Sequence, residues 1–96
     1  MKAVLIVHNM AIDPDVNEAL RSVGIDCYTK FTNTLGRGRR SEPHLNTDVW
    51  PGMNCGTFVV TDEVEAKQIM QTIRRMRDKL GPEGLKAFMW QIDDIT

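Results

Sequence analysis

Two stretches of helical periodicity, each set between short strand-like runs, constrain this chain more than any other feature of its sequence. The first is Val16, Ala19, Leu20 and Val23, spaced i, i+3, i+4 and i+7 behind Asp13-Pro14 and ahead of Gly24. Asp13 reads as the N-cap of this helix, Pro14 as its first turn and Gly24 as its stop. The second is Ala66, Ile69, Met70, Ile73, Met76 and Leu80, one apolar stripe over about five turns. Asp62 and Glu65 have the spacing of a capping box, and Gly81-Pro82 closes the segment.

Strand patterns fill the intervals. Ala3 to Val7 is a continuous apolar run without polar alternation, as expected of a central strand buried on both faces. Ile25 to Asn33 alternates, with Cys27, Thr29 and Phe31 on one side and Tyr28, Lys30 and Thr32 on the other. Thr57 to Val60 supplies a third strand, and Leu85 to Ile92, with Phe88 and Trp90, a fourth. The resulting order, βαββαβ, predicts an α+β fold of the ferredoxin-like kind, a four-stranded antiparallel sheet with two helices on one face. Ninety-six residues suffice for one such domain, 1–96, and for no second core. The uncovered sheet face would then be apolar, which predicts self-association.

With a net charge of −1, the chain has no global positive field to hold nucleic acid or anionic lipid. Two cysteines, Cys27 and Cys55, are too few for a disulfide scaffold and form no C-x-x-C pair. Both read as small buried hydrophobes in a reducing compartment. The apolar run after Lys2 is shorter than a signal-peptide core or a membrane span, so the expectation is a soluble cytoplasmic protein.

One segment exceeds what a minimal fold needs. Thr34 to Met53, TLGRGRRSEPHLNTDVWPGM, is far longer than a hairpin turn and has neither helical nor strand periodicity. As an extended arm it would reach roughly 30 Å. From Lys30 to Trp50 there are four basic and two acidic residues, so this stretch is +2 and the remainder −3. Gly36-Arg37-Gly38-Arg39-Arg40 combines backbone that can approach a ligand closely with guanidinium forks suited to phosphate or carboxylate. A solvated basic loop is the plain alternative. Trp50-Pro51 is either an anchor for a partner or the plug that seats the loop.

The strand order, the length and the Gly36-Arg37-Gly38-Arg39-Arg40 opening together resemble the PII signalling superfamily, whose long T-loop begins G-x-G-R-Q. Lys86-Ala87-Phe88-Met89 is similar to the family's K-I-F-V, where the lysine meets nucleotide phosphates. Arg40 stands where the family has a glutamine that ligates magnesium and 2-oxoglutarate, and Gly81-Pro82-Glu83-Gly84 is shorter than the T-G-x-x-G-D-G phosphate loop. Glu42 to Asn54 resembles the P-H-L-G-T-x-x-W-P-G-x-N signature of PII-like proteins associated with heavy-metal efflux, with Asn46 for the glycine and Asp48 where a second histidine is common. The resemblance implies a divergent PII-like homotrimer with no required cofactor. It further implies a small anionic effector, an adenine nucleotide among the candidates, held by Gly36, Arg37, Gly38, Arg39, Arg40 and Lys86, and a membrane metal transporter as partner.

A second reading places a transition-metal ion on His44 with Asp48 or Cys55. The spacing matches no standard zinc pattern. His8, ending the first strand, reads as a structural or cleft histidine, and Met70 and Met76 read as packing. No nucleophile, base and orienter fall into a recognisable arrangement, so the expectation is a sensor or adaptor without catalytic turnover.

Overall fold

In the computed structural model, which describes residues 1–36, 53–81 and 84–96, β1 (Lys2–Asn9) lies inside a four-stranded antiparallel sheet. It is followed by a 3-10 turn (Met10–Ile12), α1 (Asp13–Ser22), β2 (Thr29–Thr34), β3 (Asn54–Thr61), α2 (Glu63–Leu80) and β4 (Leu85–Gln91). The strand order is β2-β3-β1-β4. Opposite β1, Val4 pairs with Val59 and Met89, Ile6 with Thr57 and Ala87, and His8 with Cys55 and Leu85. These rows share one face, because strand side chains alternate.

Both helices cover that face. Val16 and Leu20 of α1 and Ala66, Ile69 and Ile73 of α2 join Val4, Ile6, Val59 and Leu85 in one buried cluster, with Met70 and Met76 packed against it. The helical stripes are therefore where periodicity placed them, except that Leu80 in the last turn is half exposed. The run Ala3 to Val7 is central, but it is buried unequally. Val4 and Ile6 are fully covered, whereas Leu5 and Val7 point to the other face and are only partly so.

That other face is bare in the single chain. Phe31, Phe88 and Trp90 are exposed at 51%, 49% and 42%, and Phe58 and Trp90 approach with ring centroids 6.1 Å apart. This uncovered side of the sheet is the one from which self-association is expected.

The helix termini differ from expectation in an instructive way. Asp62 accepts from the Glu65 backbone N–H at 2.8 Å, but the Glu65 carboxylate accepts from the Thr61 hydroxyl rather than returning to the cap. Asp13 is no N-cap. It is the first residue of α1, and the capping falls to Asn9, whose Oδ1 accepts from the Ala11 N–H at 2.8 Å to open the 3-10 turn. The Asp13 carboxylate is left for other partners.

β2 starts at Thr29, four residues later than alternation indicated. Gly24, at φ +81°, ends α1, and the Ile25 N–H then bonds back to the Leu20 carbonyl at 2.9 Å. This tucks Ile25 into the core beneath the helix, so pairing with β3 begins only at Thr29 opposite Phe58. Cys27 is consequently exposed, contrary to its reading as a buried hydrophobe, while Cys55 is buried as expected. β3 is longer than its apolar centre, because Asn54, Cys55 and Gly56 continue the ladder against Asn9, His8 and Val7.

Candidate functional site

Antiparallel pairing gathers four chain ends at one end of the sheet: the exits of β1 and β2 and the entries of β3 and β4. The Asn9 N–H donates to the Gly84 carbonyl at 2.9 Å, and the Met10 N–H to the Met53 carbonyl at 3.0 Å. Thus the return of the long loop, the entry to α1 and the turn before β4 are bonded to one dipeptide. Across the loop's base the Thr34 hydroxyl donates to the Asn54 carbonyl at 2.8 Å. Gly36 lies against the same residue so closely that a Cβ would stand 2.5 Å from Asn54 Nδ2. A larger residue there would have to push the end of the Asn54 side chain aside.

Beneath this end lies a polar network on the helix-facing side. His8, 1% exposed, places Nδ1 3.2 Å from the Asn9 carbonyl and Nε2 3.1 Å from Thr57 Oγ1. A carbonyl can only accept, so Nδ1 carries the proton and Nε2 presents its lone pair. Lys30 Nζ donates to Asp13 Oδ1 at 2.7 Å and to Thr57 Oγ1 at 2.8 Å. The Thr57 hydroxyl, accepting from the ammonium, is then free to donate to His8 Nε2. Asp13 Oδ1 lies 3.6 Å from that nitrogen, and the Tyr28 ring lies beside the lysine, 5.2 Å from Nζ to its centroid.

The electrostatics follow from burial. Desolvation holds His8 below its ordinary 6.5; the Asn9 hydrogen bond opposes this, the Lys30 charge reinforces it and Asp13 opposes it. The Cys55 thiol is pushed up by desolvation and by Asp13, against Lys30. Both groups are therefore neutral beside the Lys30–Asp13 pair. His8, Asp13 and Cys55 bring an imidazole nitrogen, a carboxylate oxygen and a sulfur within 4.8 Å of one another, the donor set among the described residues that could hold a metal.

The residues singled out from sequence are distributed as follows. Gly36 is at the loop's base. Lys86 is exposed on the open face of β4, opposite Val7. Cys55 is buried on β3, where its neighbours are His8 and Asp13. Arg37, Gly38, Arg39, Arg40, His44, Asp48, Trp50 and Pro51 lie outside the described residues. Phe31, Gly56, Val7 and Lys86 form one row across the sheet, so β2 and Lys86 are separated by three strand spacings, roughly 14 Å. Gly36 follows β2 and Lys86 lies on β4, the two edge strands of the sheet. Sequence reading missed the pairing of His8 with Asp13, and the signal was parity: His8 shares the face of Val4 and Ile6, and Lys30 is out of phase with Phe31.

A sequence model of the nitrogen regulatory protein P-II family matches residues 1–96. The chain belongs to the P-II family. Among solved structures, CPII, a nitrogen regulatory PII-like protein from Thiomonas intermedia K12 bound to ADP, AMP and bicarbonate, is similar at a TM-score of 0.72 and 14% identity, covering 95% of this chain and 88% of that one. Its apo form gives 0.69 and 15%, covering 93% and 85%. A PII-like signalling protein from Thermus thermophilus gives 0.64 and 23%, covering 93% and 83%. At these identities the structural likeness speaks for the fold. No curated protein matches this sequence. The P-II sheet, with its long segment between β2 and β3, is thus the frame on which the residues above are set, and no helix among the described residues is long and apolar enough to cross a membrane.

Proposed function

We propose that this P-II family member is a non-catalytic trimeric regulator that binds a small anionic effector, of the adenine-nucleotide class, where neighbouring chains meet. Gly36 carries the reading: it lies against Asn54 at the base of the loop and opens the basic segment Arg37-Gly38-Arg39-Arg40, whose backbone amides and guanidinium groups could close on a phosphate. Lys86 supplies the opposing charge. Because β2, which leads into Gly36, and β4, which carries Lys86, are the opposite edge strands of one sheet, a ligand touching both residues is most simply shared between two copies, and the aromatic open face gives those copies a reason to associate. The ADP and AMP bound by the CPII structure are consistent with such a ligand. The long segment, with Trp50-Pro51, would carry the signal to a partner protein, for which the sequence resemblance suggests a metal-ion transporter.

Titration calorimetry with ATP, ADP, AMP and cyclic nucleotides, each with and without bicarbonate, tests the proposal. One effector should bind the parent protein, and Arg39→Ala or Lys86→Ala should weaken it roughly ten- to hundred-fold, the worth of one charge-assisted contact. Heat from none of them, or binding indifferent to both substitutions, would remove the effector reading.

A further inference from the structure

We propose that His8, Asp13 and Cys55 form a site for a divalent transition-metal ion of the zinc class, and that the Lys30 ammonium occupies the place of that ion when it is absent. The inference is independent of the effector reading and uses none of its residues.

The donor set points to such an ion. Imidazole, carboxylate and thiolate together suit zinc and its neighbours better than a hard cation that asks for oxygen alone. His8 is already the ligating tautomer, since its Nδ1–H is committed to the Asn9 carbonyl, and a metal would take the Nε2 lone pair from the Thr57 hydroxyl. That is how a backbone carbonyl fixes which imidazole nitrogen binds metal. With bonds near 2.0–2.3 Å, tetrahedral ligand atoms stand roughly 3.3–3.8 Å apart. His8 Nε2 and Asp13 Oδ1 are at 3.6 Å, and the sulfur must close in from within 4.8 Å. Three protein ligands leave a fourth position for water.

Lys30 is the observation that turns a cluster into a cation site. Its ammonium stands 2.7 Å from Asp13 Oδ1 and 2.8 Å from Thr57 Oγ1, so the cluster already binds one positive charge. That charge is on a flexible stem. The Lys30 and Asp13 side chains retain 20% and 27% exposure, which marks the route by which an ion enters and the lysine swings out. Binding forms a metal–sulfur bond and breaks the Cys55 S–H bond, with the proton released to solvent. Imidazole changes no proton, Lys30 leaves as the ammonium, and the thiolate and carboxylate neutralise the divalent ion.

Cobalt(II) is the probe, titrated into the full chain carrying Cys27→Ser so that Cys55 is the one thiol. The expected result is a thiolate-to-cobalt charge-transfer band saturating at one ion per chain and erased by zinc(II). Adding Cys55→Ser should abolish the band, and His8→Gln should weaken binding at least about tenfold. His44→Ala should leave it unchanged. Lys30→Met provides the decisive arm, because removing the resident cation should tighten cobalt binding roughly ten- to hundred-fold, and zinc should restore the melting temperature that this variant loses. No band in either the parent or Lys30→Met at millimolar cobalt overturns the proposal. So does a band that survives Cys55→Ser, one that needs His44 but not His8, or weaker binding in Lys30→Met.

Discussion

His8 faces the helices just after the aliphatic run Ala3 to Val7 of β1, and its neutrality couples folding to pH. Its pKa in the fold lies below the unfolded value, so as pH falls through 6.5 the unfolded chain takes up the proton first. Stability contributed by His8 is thus present above that value, and it is lost as pH drops toward the folded pKa, below which the difference is constant. In metal-free protein the urea midpoint should fall between about pH 7.5 and about pH 5.5, and His8→Gln should flatten that fall. A parent and variant with parallel profiles would contradict this. The residue scale was also where sequence reading was weakest. Asp13 and Cys55 looked like a helix cap and a core filler when taken one at a time. Their proximity depends on a register, His8 opposite Cys55, and on Asn9 taking the capping role. Gly36 stood out through its local motif, read as backbone that lets a ligand approach, whereas its neighbour in the fold, Asn54, is eighteen positions away.

At the scale of elements, periodicity did most of the work. The stripe of α2 is the largest helical contribution to the core, with Ala66, Ile69 and Ile73 all buried. Ile69→Ala should lower unfolding free energy by about 2–5 kcal/mol through lost burial and the residual cavity. Asp62→Ala removes a single cap hydrogen bond and should cost about 1 kcal/mol. Urea denaturation of the two variants checks the ranking, which reverses if the helix depends on its cap more than on packing. Strand limits were less readable. Ile25 reads as strand by composition yet serves the core from beneath α1, and Asn54 and Gly56 are poor strand formers carried into β3 by the neighbouring ladder. Tertiary pairing overrode local preference at both places.

For the whole molecule, the aromatic face is the surface on which the proposed assembly can be tested. Phe31, Phe88 and Trp90 lie on one side of the sheet with Phe58 between strands. A trimer that covers them should dissociate when Phe88 becomes Asp, since a buried unpaired carboxylate is costly. Native mass spectrometry should show trimer for the parent and monomer for Phe88→Asp, with helical content kept because the opposite face is untouched. A parent that is already monomeric, or a variant that stays trimeric, would show that this face is not the interface. The sequence made the face legible once both helices were assigned to the opposite side of the sheet, but only as a surface in want of cover.

The pairing of β1 with β4 has a kinetic meaning. Lys2 stands opposite Gln91, and the Ile92 N–H bonds to the Met1 carbonyl, so the inner strand acquires its second neighbour from the far end of the chain. Such a contact closes nearly the longest loop this sequence contains, which slows folding relative to locally paired sheets of equal stability. During synthesis β1 emerges first of these elements and β4 last. Until β4 arrives, one side of β1 presents an unpaired row of amides and carbonyls, and Val4 and Ile6 lack part of their cover. A ribosome that pauses after α2 therefore holds out a sticky edge, the kind that chaperones recognise and that aggregates when they do not.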